Sequence, residues 1–113
     1  MSRSGLGLDI VDIARFKRLT TEKPSLTNRI LTTREIECAN KFSDSIPHLA
    51  ACFAAKEAYF KALGSGVSGH TFHEVELLHD EAGRPFLSLL GERLPALISI
   101  SHTDTIVGAV VIL

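Results

Sequence analysis

Apolar and polar positions change their rhythm about halfway along this chain. Gly5 to Val11 (Gly-Leu-Gly-Leu-Asp-Ile-Val) is a run of branched apolar residues flanked by glycine, which predicts a strand. Asp12 follows with a carboxylate able to cap a helix through about Thr20, and Pro24 closes that segment. Thr32-Thr33-Arg34-Glu35 matches a capping box, predicting a short helix to Lys41 or Phe42. After the polar connector Ser43-Asp44-Ser45, Pro47 suits the first turn of a longer helix that runs to Leu63 and stops at Gly64. Leu49, Phe53, Lys56, Phe60 and Leu63 recur at helical spacing on it, so one stripe is largely apolar.

Beyond a glycine-serine loop from Gly64 to Gly69, strands dominate. His73 to His79 predicts a strand, Asp80 to Pro85 a turn, and Phe86 to Leu90 an antiparallel return. Leu97 to Ser101 alternates apolar and small polar residues, and Ile106 to Leu113 is almost continuously apolar. Helices in the first half and antiparallel strands in the second define an α+β class.

Composition narrows the setting. The 113 residues fit one domain, 1–113, and 45% hydrophobic with 22% charged residues is an ordinary globular balance. A net charge of −1 argues against bulk binding to nucleic acid or an anionic membrane. Cys38 and Cys52 form no C-x-x-C motif and read as reduced, structural residues of a cytoplasmic protein. No signal peptide is apparent at the N-terminus, and the longest uncharged apolar stretch is too short to span a bilayer.

Candidate chemistry sits where charge interrupts apolar sequence. Lys56, Glu57 and Lys61 lie within the helix Phe-Ala-Ala-Lys-Glu-Ala-Tyr-Phe-Lys-Ala, and Asp9 lies within the first strand. Buried charge is costly unless it is paired. Glu57 and Lys61, four apart, can simply pair on one helix face, and Asp9 can serve as an early cap. The functional alternative places Asp9 at a strand end facing Glu57, where two carboxylates suit Mg²⁺ with substrate phosphates and waters completing its shell. Gly64-Ser65-Gly66 lacks P-loop spacing and reads equally as a helix cap with a flexible exit. Ser99-Ile100-Ser101-His102 offers hydroxyls and an imidazole without a nucleophile elbow, and His70-x-x-His73 is at most half a zinc site. Arg15, Lys17 and Arg18 form a basic cluster on the first helix, either a solvated face or a docking site for an acidic partner.

Taken in order, these segments resemble the holo-acyl-carrier-protein synthases, the small single-domain branch of the 4′-phosphopantetheinyl transferases. Gly7-Leu8-Asp9 with Arg15-Phe16 is similar to the family's G-x-D-x-x-x-x-x-R-F, and Phe53 to Ala62 to its F-x-x-K-E-x-x-x-K-A. Leu63-Gly64-Ser65-Gly66 continues in register, and Ser99 to His102 resembles its late S-x-[ST]-H. The resemblance implies that fold, with an antiparallel sheet packed against helices. It also implies transfer of phosphopantetheine from coenzyme A to a serine of an apo acyl carrier protein, releasing adenosine 3′,5′-bisphosphate and supplying fatty-acid biosynthesis. On that reading Asp9 and Glu57 hold Mg²⁺, Glu57 accepts the serine proton directly or through a water, and Lys61 stabilises phosphates. Lys56, Lys61, Gly64, Ser65, Gly66 and His102 then contact coenzyme A, and Arg15 and Arg18 meet the carrier. The resemblance further implies a homotrimer with active sites between subunits.

Two departures accompany it. Many relatives carry a basic residue where this chain has Cys52, which bears on nucleotide binding and keeps open a non-catalytic, binding-only reading. A metal-dependent hydrolase of coenzyme A is a further alternative. The segment between Gly91 and Ile98 is short and contains Pro95, so a helix there is expected to shrink to a turn.

Overall fold

The computed structural model of this chain describes residues 4–64 and 71–113. In chain order its elements are β1 (Leu6–Asp12), α1 (Ile13–Glu22), α2 (Pro24–Ile30), α3 (Thr33–Ala39) and α4 (Ile46–Leu63). A 3₁₀ turn (Phe72–Glu74) leads into β2 (Val75–His79), β3 (Pro85–Leu89), β4 (Glu92–Arg93), β5 (Leu97–His102) and β6 (Ile106–Ile112). The strands form two three-stranded antiparallel sheets, β1-β6-β5 and β2-β3-β4, in keeping with the α+β class expected.

The organising element is α4. Leu49, Ala50, Cys52, Ala54, Ala55, Ala58, Tyr59, Phe60 and Ala62 are all buried, so the helix is covered on nearly every side rather than along one stripe. Its many alanines permit this, because a small side chain lets neighbouring backbones come close. Gly5 and Gly7 extend the same logic to β1: a Cβ on Gly7 would lie 1.8 Å from the Ala58 carbonyl oxygen, and one on Gly5 2.0 Å from that of Ala62. The glycines therefore let β1 lie directly on α4, which carries Asp9 toward Glu57. Gly64 ends the helix with φ 80°, a left-handed cap that glycine adopts without strain.

Strand β1 alternates strictly. Gly7, Asp9 and Val11 face α4, while Leu6, Leu8 and Ile10 point outward and are 68%, 59% and 65% exposed. Register carries the outward face across the sheet: Leu6 pairs with Ile112 and Ile112 with Leu97, Leu8 with Val110, and Asp12 with Ile106. An apolar sheet surface thus faces away from the core.

Several boundaries depart from the sequence reading. Pro24 opens a helix instead of merely closing one, since a residue without an N–H fits a first turn and Leu26 and Ile30 supply inward contacts. The strand expected from His73 begins at Val75, because the Thr71–Glu74 capping box curls the preceding residues into the 3₁₀ turn. The returning strand stops at Leu89, and Leu90 turns with φ 51°. Between Gly91 and Ile98 there is no helix, only the two-residue β4 and a bend. The capping box of α3 forms as read, with Glu35 N donating to Thr32 Oγ1 at 3.2 Å and Thr32 N to Glu35 Oε1 at 2.9 Å, but the helix ends at Ala39, short of the expected Lys41 or Phe42.

Candidate active site

Asp9 stands in the middle of β1, opposite Ala109 on β6, rather than at a strand end. Its capping role goes to Asp12, whose Oδ1 accepts from Arg15 N at 2.9 Å. The inward side of β1 directs the Asp9 carboxylate toward α4, where Lys61 Nζ donates to Asp9 Oδ1 at 3.1 Å and to the Leu8 carbonyl at 3.0 Å. Lys61 is thus bridged to β1, not paired with Glu57 four residues earlier. Its side chain remains 55% exposed, whereas Asp9 is buried and would need another cation in place of Lys61 if that bond opened.

Glu57 is half-buried on the same side. Burial and the nearby Asp9 charge hold its carboxyl above the usual carboxylate range, against the opposing pull of Lys61. Two adjoining clefts meet at Glu57 and Phe53. One, of about 430 Å³, is lined by Asp9, Asp12, Arg15, Phe16, Leu19 and Ile106 besides those two. The other, of about 620 Å³, is bounded by Leu26, Arg29 and Ile30 of α2 and by Thr71, Phe72 and His73. Phe53 holds the ridge between them through ring contacts with Phe16 at 5.7 Å and Phe72 at 5.9 Å.

Asp9, Glu57 and Arg15 therefore line one cleft, and Lys61, which lines neither, reaches it through its bond to Asp9. Arg18 is exposed on α1 but lines neither cleft. Arg29 on the wall of the larger cleft was missed, because nothing in the sequence marked α2 as a helix. Among the described residues no three His, Cys, Asp or Glu side chains gather at metal-binding distance. The donor set is the Asp9 and Glu57 pair, and the Asp9 charge already disfavours a second charge at Glu57. Two carboxylates in that relation fit a hard divalent cation that draws its remaining ligands from water and phosphate.

Lys56 overturns its expected part. It is 0% exposed, points into the core, and its ammonium is bound to Glu35 Oε1 and, at 2.7 Å, to the Ile30 carbonyl. It therefore cannot contact coenzyme A. Cys52 is equally buried beside Glu35 and Lys56, and burial pushes its thiol far up. The position that prompted a binding-only reading is a core position. His102 is exposed and lies in a separate cleft with Phe42, Pro47, His48, His79 and Pro85, so one chain does not bring it to Glu57. Gly64 caps α4 at the exit of the site, whereas Ser65, Gly66 and His70 lie outside the described residues.

Residues 5–111 match the model of the 4′-phosphopantetheinyl transferase superfamily. The chain is 39% identical to a holo-[acyl-carrier-protein] synthase of Treponema denticola over 119 residues, covering 96% of each chain. It is 45% identical to one of Geobacter sulfurreducens over 107 residues, covering 92% of this chain and 84% of that one. The crystal structure of a holo-(acyl-carrier-protein) synthase from Bacillus anthracis in complex with CoA (3′,5′-ADP) superposes with a TM-score of 0.82 at 32% identity, covering 96% of this chain and 93% of that one. These comparisons define a class, the phosphopantetheinyl transferases, and its α+β fold. Within that class the chain belongs to the holo-[acyl-carrier-protein] synthase family.

Proposed function

We propose that the protein transfers 4′-phosphopantetheine from coenzyme A to a serine hydroxyl of an apo acyl carrier protein, with Mg²⁺ held by Asp9 and Glu57. The observation that carries this reading is the meeting of the two carboxylates with Arg15 in one cleft. Mg²⁺ bound there would neutralise charge on the pyrophosphate of coenzyme A. Glu57 accepts the serine proton as the serine Oγ–P bond forms and the P–O bond of the pyrophosphate breaks. Glu57 shares the cleft with Asp9, so its ionised carboxylate stands where that proton is released. Lys61, exposed beside Asp9, binds the phosphates and stabilises the departing adenosine 3′,5′-bisphosphate. Gly64, Ser65, Gly66 and His102 complete the contacts to coenzyme A.

Arg15, with Arg18 on the same exposed side of α1, meets an acidic surface of the carrier. Three copies assemble through the apolar face of the β1-β6-β5 sheet, where exposed Leu and Ile side chains stand together. That assembly is the natural route by which the separate His102 cleft of one copy joins the Asp9–Glu57 cleft of another. We place the protein in the cytoplasm, serving fatty-acid synthesis; both cysteines are free thiols.

Mass spectrometry of apo carriers incubated with the protein, coenzyme A and Mg²⁺ tests the reaction. The carrier should gain one phosphopantetheine mass, and a fatty-acid carrier should be modified faster than a polyketide carrier. A panel of carriers left unmodified would refute transfer. Free phosphopantetheine released without any carrier would instead establish a hydrolase.

A further inference from the structure

Lys56 and Glu35 are each 0% exposed, and the proposed reaction uses neither. Their network is fully satisfied. Lys56 Nζ donates to Glu35 Oε1 and to the Ile30 carbonyl; Glu35 Oε1 also accepts from Thr32 N, and Glu35 Oε2 from Leu77 N at 2.9 Å. Thr32 Oγ1 then donates to Glu76 Oε2 at 2.6 Å. One buried cluster thus joins the C-terminus of α2, the cap of α3, the middle of α4 and the strand β2.

Two of those elements form the walls of the larger cleft. Leu26, Arg29 and Ile30 of α2 stand on one side, and Phe53 and Glu57 of α4 on the other. α2 rests mainly on α1 and the 3₁₀ turn, so the Lys56 bond to the Ile30 carbonyl is a direct polar tie between the walls. Lys56 is also the residue before Glu57, about 100° round the helix from it, and points into the core. Fixing its ammonium at two points fixes the rotation of α4 about its axis at that turn, and hence the direction of Glu57.

Stability alone does not explain such a pair. Desolvating two charges offsets much of their attraction, and apolar replacements of buried pairs are often as stable. What an apolar pair lacks is direction.

We propose that Lys56 and Glu35 are positioning residues that set the gap between α2 and α4 and aim Glu57 at the metal and the substrate serine. This rests on the proposed transferase reading.

The test compares the neutral double variant Lys56→Met/Glu35→Gln with wild type by thermal melting, Mn²⁺ titration followed by electron paramagnetic resonance, and steady-state kinetics. The double variant should melt cooperatively. It should bind Mn²⁺ roughly tenfold more weakly. Its kcat should fall roughly 10- to 100-fold, with the KM for coenzyme A changed less than about threefold. A folded double variant with wild-type kcat and Mn²⁺ affinity overturns the proposal and leaves a purely structural pair. If the double variant does not fold, Glu35→Gln alone, assayed well below its own melting point, carries the same test: wild-type kcat and Mn²⁺ affinity overturn the proposal, and a loss in both supports it. Failure of the metal reading is distinguishable, because Asp9→Asn would then match wild type in Mn²⁺ affinity. In that case the kcat comparison decides the positioning role alone.

Discussion

The Glu57 carboxyl lies above its ordinary pKa because burial, and then the Asp9 charge, disfavour its ionised form. Between the unfolded value and this raised value the folded protein binds more protons than the unfolded chain. Stability is therefore fully present below the unfolded pKa and is lost as pH rises through the folded one. Glu57→Gln removes that penalty, so at pH 7.5 it should melt roughly 1–4 °C above wild type, a small gain because solvent screens so open a group. The gain should vanish on acidification below the ordinary glutamate range, as followed by calorimetry across pH. The same variant, and Asp9→Asn, should show no transfer by carrier mass spectrometry. Wild-type turnover should decline on acidification, since only the ionised carboxylate accepts a proton or holds a cation. Arg15→Ala acts elsewhere: it should raise the carrier KM about tenfold with the KM for coenzyme A unchanged, as loss of a binding charge that takes no part in bond making. Asp9, Glu57 and Lys61 were legible because charge is conspicuous in apolar sequence, and Arg15 because it belongs to a basic cluster. Lys56 misled for the same reason. On a helix covered all round, spacing does not tell which charge faces a cleft and which meets Glu35 from another helix. Glu35 was read rightly as a capping residue, but its second partnership is tertiary and left no local trace.

At the scale of elements, the closeness of β1 to α4 decides where Asp9 stands. Gly7→Ala would set a methyl group 1.8 Å from the Ala58 carbonyl oxygen, a backbone atom in the middle of a buried helix that cannot swing aside. The variant should lose about 2–3 kcal/mol or more. That corresponds to a drop of roughly 10 °C in Tm, measurable by calorimetry. Because the strand must lift from the helix, the Asp9 to Lys61 bridge should open as well, and activity at a temperature where the variant is folded should fall with it. Elements with a strong local signature were readable: the branched apolar run of β1, the Thr32–Glu35 box, the Gly64 stop and the apolar β6. α2 was not, since seven residues beginning with proline show little periodicity and the helix is secured by neighbours, including the Lys56 bond to its last carbonyl. β4, with two residues, carries no pattern at all, and the division into two sheets depends on pairings that only the whole chain makes.

The whole molecule presents an unresolved surface to water: Leu6, Leu8, Ile10, Leu97, Ile106 and Ile112 stand outward on one sheet face, between 42% and 69% exposed. Removing one such side chain from water stabilises an assembly by roughly 1.5–3 kcal/mol, so several per copy are enough to hold a complex even after the loss of rotational freedom. A charge placed at the centre of that face reverses the balance, because it would be buried without a partner. Leu8→Lys is well placed: Leu8 sits mid-strand, its neighbour across the ladder is Val110, and its side chain makes little contribution to the core. Light scattering coupled to gel filtration should give three times the 12.3 kDa chain mass for wild type and a single chain mass for Leu8→Lys, with an unchanged far-ultraviolet circular dichroism spectrum. Transfer activity should disappear with the assembly, since Asp9 and Glu57 of one chain lie apart from its own His102 cleft. Mixing Leu8→Lys chains with wild type should not restore it. A monomeric variant that retained full turnover would show that each chain holds a complete site, and the apolar face would then need another partner to cover it.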